Sequence, residues 1–492
     1  MVLERRLSTL PSLLGLLGLL GLAAAAGCTR EPEPATYDLE ALRDPETCAE
    51  CHPVHHREWL GSMHAYAAED PVFRAMNAKA QRETDGEIGD FCVRCHAPVA
   101  VELGLTQDGL NLDTLPREVQ GVTCWFCHQV EAVEGTHNNP LRLAMDAVMR
   151  GDVLDPLGPD VHDVGQSELF DRNRMASSAM CGSCHDIVTP DGAHIERTFA
   201  EWQATFYGDP DPDDLERPAV YGLTCNDCHM NTSTGAIADY PGVRGDRSRH
   251  SHMFAGVDVA VSEFPDAELG PVLREEQLAE IAEQRKTSLC ASLCVREEGA
   301  GAELTVWLHN EGAGHSWPSG AGADRRAWVE LVARDGAEAV VYSSGVVTED
   351  QPIAELDDAD LWLLRDRVFD TSGAETHDFW KAASVESNLL PAPEGFGSSS
   401  DAETWKLRSY ALDSAPTRVN MRVRLRPIGL EVLAELVASG DLDPAVVERA
   451  STFDVAPTVL EWTAETAVAS SGEVDYGSCV SSSPGCGAPA LK

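Results

Sequence analysis

The stretch Cys48-Ala-Glu-Cys51-His52 decides how this chain is built, because the same pattern returns four more times. Every copy has two cysteines separated by two residues, with a histidine directly after the second cysteine. The copies are Cys48/Cys51/His52, Cys92/Cys95/His96, Cys124/Cys127/His128, Cys181/Cys184/His185 and Cys225/Cys228/His229. A single copy could be a redox or zinc dithiol that happens to precede a histidine. Five copies between residues 48 and 229 exclude coincidence.

Cys-x-x-Cys-His is the pattern by which c-type haem is attached to a protein. The two thiols form thioether bonds with the haem vinyl groups, and the histidine binds iron from one side, here called proximal. The sequence therefore predicts five covalently bound c-type haems. The predicted proximal ligands are His52, His96, His128, His185 and His229. Such cofactors imply electron transfer.

The cysteine count points to an exported, oxidising compartment, since the chain has 15 cysteines and only ten lie in the motifs. Cys290 and Cys294 are followed by Val295 rather than histidine, which excludes a sixth haem there. With Cys479 and Cys486 they are expected to form two disulfide bonds, one of which could hold the C-terminal end. The spacing leaves their pairing open.

The N-terminal residues resemble a bacterial export signal. Arg5 and Arg6 precede an apolar run over 10–26, and small residues lead up to Cys28. Cleavage before Cys28 would allow lipidation, and two or more acyl chains anchor a protein stably. An ordinary signal peptide and an uncleaved membrane anchor are the alternatives. The expectation is an exported bacterial lipoprotein, anchored to a membrane on the periplasmic side or at the cell surface.

The acidic balance of the chain restricts its partners. The formal net charge is −44 and the isoelectric point is about 4.5. This charge repels polyanions, so nucleic acid is excluded and a redox partner protein with a basic docking face is expected. The alternative is that the charge only keeps an exported protein soluble.

Composition changes along the chain predict its organisation. Five haems in so few residues must form much of the core, so short helices and irregular chain are expected around them. Later segments such as 304–308 and 327–332 alternate between apolar and polar residues, as in an antiparallel β-sandwich. The predicted parts are a signal peptide (1–27), a tether (28–45), a pentahaem cytochrome c domain (46–260), a linker helix (261–287), a β-sandwich domain (288–465) and a loosely ordered tail (466–492).

Histidines outside the motifs are candidates for the opposite, distal side of each iron. Sixteen histidines include the five proximal ones, so eleven remain. The distal candidates are His64, His162, His250, His252, His137, His194 and His315. His55 and His56 lie so close to the first motif that they are expected to line a haem edge, while His309 and His377 are expected to be structural.

Several stretches resemble cytochrome c-554-like multihaem proteins. They are Trp59-x-x-Ser62-x-His64, Cys181-Gly-Ser-Cys-His-Asp186, Thr198-x-x-Glu201-Trp202, Thr224-Cys-Asn-Asp-Cys-His-Met230 and His250-Ser-His252. The run Asn310-Glu-Gly-Ala-Gly-His315-Ser-Trp-Pro-Ser-Gly320, with Arg326, is similar to the start of the β-domain that follows the haems in many exported multihaem cytochromes. The resemblance spans about residues 48–425. It implies that His64 is a distal ligand and that His250 and His252 supply two more.

The resembling family includes both electron carriers and enzymes that act on small nitrogen or sulfur compounds. The chain lacks the Cys-x-x-Cys-Lys variant of the nitrite-reducing members. The leading hypothesis is therefore a lipoprotein that carries electrons through five haems, without a catalytic residue. The alternative is an oxidoreductase that binds a small nitrogen or sulfur compound at a five-coordinate haem. A structural subunit of a larger conduit or filament is a third, weaker hypothesis.

Overall fold

The computed structural model describes residues 37–157, 161–205, 207–208, 222–393, 404–470, 474–483 and 486. The predicted signal peptide, the lipidation site Cys28 and the first residues of the tether lie outside this part of the chain. Among the residues that it covers, no helix is long and apolar enough to cross a membrane.

The part of the chain that carries the five motifs consists of short helices, loops and two-stranded ribbons. Its described helices are α1 (Leu39–Arg43), α2 (Pro45–Ala49), α3 (Pro53–Leu60), α4 (Met63–Tyr66), α5 (Pro71–Glu83), α6 (Val93–His96), α7 (Pro98–Glu102), α8 (Cys124–His128), α9 (Ala176–Gly182), α10 (Thr198–Gln203) and α11 (Cys225–His229). Its described strands are β1 (Val130–Val133), β2 (Leu141–Leu143), β3 (Val148–Gly151), β4 (Asp163–Gln166), β5 (Ile187–Val188), β6 (His194–Glu196), β7 (Thr232–Gly235) and β8 (Arg247–His250), paired in that order.

Local sequence explains why the motifs coil into helices. The side chain of Thr123 accepts a hydrogen bond from the Phe126 N–H at the start of α8. Thr224 and Asp227 form a capping box at the start of α11. Such oxygens satisfy N–H groups that have no partner inside the helix. Since residues three and four apart share a helix face, the second cysteine and the histidine come onto the same side as the first cysteine in α8 and α11, which each contain a whole motif.

After α12 (Gly270–Arg285), strands dominate the described chain. They are β9 (Leu289–Glu298), β10 (Gly301–Asn310), β11 (Arg326–Arg334), β12 (Val340–Ser344), β13 (Leu363–Leu364), β14 (Asp366–Phe369), β15 (Ser384–Ser387), β16 (Trp405–Leu412), β17 (Arg418–Arg426), β18 (Phe453–Asp454), β19 (Leu460–Thr463), β20 (Val468–Ala469) and β21 (Ser478–Ser481), with α13 (Leu430–Ala438) between β17 and β18.

Two antiparallel sheets form this part of the fold. One has the strand order β16-β10-β9-β21-β20, and the other has β12-β11-β17-β18, with β13 beside β11 and β19 beside β17. Side chains at alternate positions, such as Leu304 and Val306 on β10 and Val329 and Leu331 on β11, are at most 1% exposed and share one hydrophobic core. Because alternate residues of a strand point to one face, the alternating runs seen in the sequence become the inner faces of the two sheets.

Helix α13 connects the strand-rich part to the motif-bearing part. Its residues Leu430, Leu433 and Leu436 share a buried cluster with Val72 and Ala75 of α5. Beside this cluster, an ion pair joins Arg82 of α5 to Asp441 through contacts of 2.5 and 2.7 Å. The two parts of the chain are therefore packed against each other.

Two disulfide bonds hold the C-terminal segment. They join Cys290 to Cys486 and Cys294 to Cys479. Cys479 lies on β21 directly opposite Cys294, and β21 pairs with β9 along its length. The prediction that 466–492 is loosely ordered is wrong for the described residues of this segment, because strand pairing and covalent bonds fix them. The composition, rich in Ser, Gly and Pro, does not reveal either constraint.

Leu433→Ala should weaken the contact between α13 and α5. Leu433 is 1% exposed, so the substitution leaves a cavity in a packed cluster. We expect the free energy of unfolding to fall by about 2–5 kcal/mol, measured by guanidinium denaturation followed by far-UV circular dichroism. The control is Val340→Ala, whose residue is 52% exposed and should change stability little. Equal stability of the two variants would contradict this account.

Candidate haem-binding site

Each motif histidine has its Nδ1 atom fixed by a hydrogen bond. The pairs are His52 with Ile237 O (2.7 Å), His96 with Ala67 O (2.9 Å), His128 with Arg150 O, His185 with Glu196 Oε1 (3.2 Å) and His229 with Ala255 O (2.7 Å). Carbonyl and carboxylate oxygens only accept, so Nδ1 carries the proton and Nε2 keeps its lone pair. This is the arrangement that orients a histidine for binding a metal. No sequence pattern identifies these acceptors, because they lie on other segments.

Three motif histidines face a second histidine. The ring centres are 6.4 Å apart for His52 and His162, 6.2 Å for His185 and His64, and 6.4 Å for His229 and His315. All three partners are among the residues that the sequence predicted as distal candidates, and the ring of His55, which was expected to line a haem edge, also lies 6.0 Å from that of His52. The structure thus brings each of them close to a motif from which it is distant in sequence.

These separations fit an iron held between two imidazoles. Two metal–nitrogen bonds of about 2 Å, and roughly 1 Å from each nitrogen to its ring centre, place the two centres about 6 Å apart. The ten motif cysteines are free thiols, as thioether formation requires. The residues present therefore fit c-type haem at these three motifs, with both thiols and both imidazoles in place.

His64 lies deep in the motif-bearing part. Its ring is 4.4 Å from that of Phe254, and its carbonyl accepts a hydrogen bond from the Val122 N–H beside the third motif. Burial, followed by the charges of His185 and His229, lowers the pKa of His64 to about 3. Its Nδ1 is buried without a hydrogen-bond partner among the described residues. The ring is therefore neutral, which is the form that can bind a metal.

His315 reaches the fifth motif from the strand-rich part of the chain. It lies in the loop after β10, where its Nδ1 donates to Ser316 O at 2.8 Å and its carbonyl accepts from Asn310 Nδ2 at 2.6 Å. Burial is the main cause that lowers the pKa of His229 to about 4, and His315 lowers it further. Both rings are held in place, and a site at this motif draws residues from both parts of the chain.

The other distal candidates lie elsewhere. His252 donates from Nδ1 to the carbonyl of His250 (3.0 Å), and its ring contacts that of His55 at 4.7 Å, which leaves no room for an iron between them. His194 is paired through Nε2 with Asp186, and His137 is exposed on a loop. In the described chain, none of these four candidates is in ring contact with a motif histidine.

Two motif histidines have aromatic rather than histidine neighbours. The ring of Phe73 stacks on His96 at 3.9 Å, and the ring of Phe170 stacks on His128 at 5.1 Å. For the residues that the structure covers, ring contacts of His96 and His128 include no other histidine. The pKa of His252 is lowered mainly by burial and then by the charges of His55 and His128. His252 therefore lies near His128. No pattern in the sequence points to either phenylalanine.

Motifs that are distant in sequence are neighbours in space. Three pairs of thiols from different motifs are in contact, and each contact shifts the pKa of a cysteine. The pairs are Cys48 with Cys124, Cys95 with Cys184 and Cys181 with Cys225. Backbone contacts agree, since the Cys225 N–H donates to Ser178 Oγ at 3.1 Å. Groups attached to these cysteines would lie side by side, which is the arrangement that short-range electron transfer needs.

Comparison with known proteins agrees with this chemistry. Residues 47–129, which contain the first three motifs, match the family model described as cytochrome c554 and c-prime. The fold is similar to the crystal structure of a penta-heme cytochrome c552 from Thermochromatium tepidum, with a TM-score of 0.59 and 18% identity. That match covers 87% of this chain and 100% of the other. A search of curated protein sequences found no significant match.

Proposed function

We propose that the chain is a multihaem c-type cytochrome and an exported electron carrier with five covalently attached haems; the family-model match and the structural similarity support this proposal. The observation that supports this most directly is the second histidine opposite three of the motif histidines. Haem supplies one-electron redox chemistry when it is bound. The residues of the chain would fix its position, and a second imidazole would occupy the iron position that a catalyst must leave open.

The proposed distal ligands follow from these pairs. His162 serves the motif of His52, His64 serves that of His185, and His315 serves the motif of His229. For the third motif we propose His252, since the charge of His128 contributes to its lowered pKa, after burial and the charge of His55. His96 is left with Phe73 as its aromatic neighbour.

A second candidate function is the oxidoreductase acting on a small nitrogen or sulfur compound. The observation that favours it is confined to the second motif, where Phe73 stacks on His96 and no histidine is in ring contact within the described chain. A five-coordinate haem there would leave a position for a small ligand. The carrier is preferred because the other motifs either have a facing histidine or have His252 nearby.

Single replacement of His162, His64 or His315 by Ala tests the proposed ligand pairs. Each change should leave one iron without its sixth protein ligand, so we expect a new high-spin ferric signal of about one haem per protein in electron paramagnetic resonance spectra. His137→Ala is the matched control, because His137 is exposed and its ring is hydrogen-bonded to Thr136 Oγ1, at 3.1 Å, rather than placed beside a motif histidine in the described chain. Unchanged spectra for all three variants would refute the pairs.

The same spectra separate the carrier from the enzyme. An electron carrier should bind no cyanide or nitrite at any haem, the second motif included, so these ligands should not shift the Soret band of the unaltered protein. A high-spin fraction near one haem in five that responds to these ligands would instead favour the oxidoreductase, with the second motif as its site.

Haem content tests the proposed number of cofactors. Every motif has both thiols and a histidine whose Nδ1 is fixed, so we expect all five to be occupied. The intact mass of the mature protein should exceed that of the polypeptide by five haems after expression with a complete maturation system. Replacing Cys225 and Cys228 together by Ala should remove one of them. Four or fewer haems in the unaltered protein would contradict the motif count.

The proposed location is the outer side of a bacterial cytoplasmic membrane or the cell surface, with an anchor on Cys28. The support is the signal-like sequence before Cys28 and the covalent haem chemistry. The first motif begins soon after the anchor, and three exposed carboxylates, Glu46, Glu50 and Asp239, lie around it. Together with the net charge of −44, they favour a basic redox partner and disfavour nucleic acid.

Cys28→Ala should prevent lipidation and release the protein from membranes. Two or more acyl chains give stable anchoring, so their loss should move the protein to the soluble exported fraction. Fractionation followed by haem staining of gels measures the distribution. Cys28→Ala protein that stays in the membrane after a high-salt wash would argue for an uncleaved anchor or for a partner that holds it.

A further inference from the structure

We propose that Glu201 is a positioning residue for His315, the distal ligand proposed for the fifth motif. The inference rests on that ligand role and adds a residue that controls it. Glu201 lies on α10, the short helix that follows the fourth motif, whereas His315 lies in the loop after β10. The two residues are separated by more than one hundred positions in the chain.

Glu201 binds the His315 loop directly. Its Oε2 accepts hydrogen bonds from the Ser316 N–H at 3.2 Å and from Ser319 Oγ at 2.8 Å. One helical turn earlier, Thr198 Oγ1 lies 2.8 Å from Ser319 Oγ and accepts from the Gly320 N–H at 3.1 Å. Residues three apart lie on one face of a helix, so this face of α10 holds both ends of the segment from Ser316 to Gly320.

Ser316 links Glu201 to the imidazole. Its N–H donates to Glu201, and its carbonyl accepts from His315 Nδ1 at 2.8 Å. Fixing this residue therefore fixes the acceptor that orients the ring and keeps the proton on Nδ1. Second-shell hydrogen bonds of this kind determine the orientation and basicity of histidine ligands.

Glu201 is itself held in place. Its Oε1 is 3.4 Å from Arg197 Nε, and Arg197 Nη2 is 2.9 Å from Asp366 Oδ2. The Glu201 side chain is 13% exposed, so its hydrogen bonds face little competition from water. Bonds to a charged acceptor are stronger than bonds between neutral groups.

Helix α10 also contacts both neighbouring motifs. The Phe199 N–H donates to the carbonyl of His185 at 3.3 Å, and the Ala200 N–H donates to Asp186 Oδ2 at 2.9 Å. Trp202 Nε1 donates to the carbonyl of Leu223, just before the fifth motif, at 2.9 Å. One helix thus joins the fourth motif, the fifth motif and the loop that carries His315. This explains the Thr198-x-x-Glu201-Trp202 spacing that stands out in the sequence.

The test uses the full-length, haem-loaded protein with Glu201→Ala, Glu201→Gln and the control Glu311→Ala. Glu311 is an exposed neighbour on the same loop. Glu201→Ala frees Ser316, so the reduced protein should bind carbon monoxide at about one more haem than the unaltered protein, and added imidazole should reverse this. Glu201→Gln keeps an acceptor oxygen and should behave like Glu311→Ala, with no added carbon monoxide binding.

Further variants distinguish the positioning role of Glu201 from the ligand role of His315. If Glu201→Ala does not accumulate, Ser319→Ala removes only one of the bonds and should give a smaller increase in carbon monoxide binding. Haem content measured by intact mass should stay at the level of the unaltered protein in each case. Unchanged carbon monoxide binding in Glu201→Ala and Ser319→Ala, together with a clear increase in His315→Ala, would overturn the role of Glu201 and leave the ligand role intact. No increase in His315→Ala would instead overturn the ligand role itself.

Discussion

A hydrogen bond to one ring nitrogen of a histidine orients the ring and keeps the other nitrogen free to bind iron. In this fold every motif histidine donates its Nδ1 proton to an acceptor on another segment, four times to a backbone carbonyl and once to Glu196. The acceptors come from the loops and ribbons between the motifs and just after the fifth one. Those irregular segments therefore orient the motif histidines, because each places an acceptor oxygen within hydrogen-bond distance of one imidazole Nδ1.

The same requirement explains why the two parts of the chain are interlocked. The fifth motif faces His315, which the strand-rich part supplies, and α10 holds the loop that carries it. Helix α13 packs its leucines on α5, the helix whose Phe73 stacks on His96. The strand-rich part thus contributes to the surroundings of at least two motifs, and separating the two parts of the chain would disturb both motifs.

Electrostatics inside the molecule and at its surface have opposite roles. Burial lowers the pKa of His64 and His229 far below the usual value, which keeps both rings neutral in a chain whose formal charge is −44. These imidazoles are half-buried, whereas carboxylates such as Glu46 and Glu50 are exposed and solvated. An acidic exterior of this kind attracts basic partners without disturbing the neutral interior.

The sequence alone identified the motifs, their proximal histidines and the alternating strands, because these depend on spacings of a few residues. It also predicted two disulfide bonds and a set of distal candidates that includes His64, His162 and His315. It did not pair Cys294 with Cys479, and it did not separate His64 and His162 from His250 and His252. Those outcomes depend on which distant segments meet: β21 beside β9, or the Ser316 loop on α10. Only the tertiary structure decides such contacts, since the free energy of packing comes from all the surrounding elements together and not from the local spacing of residues.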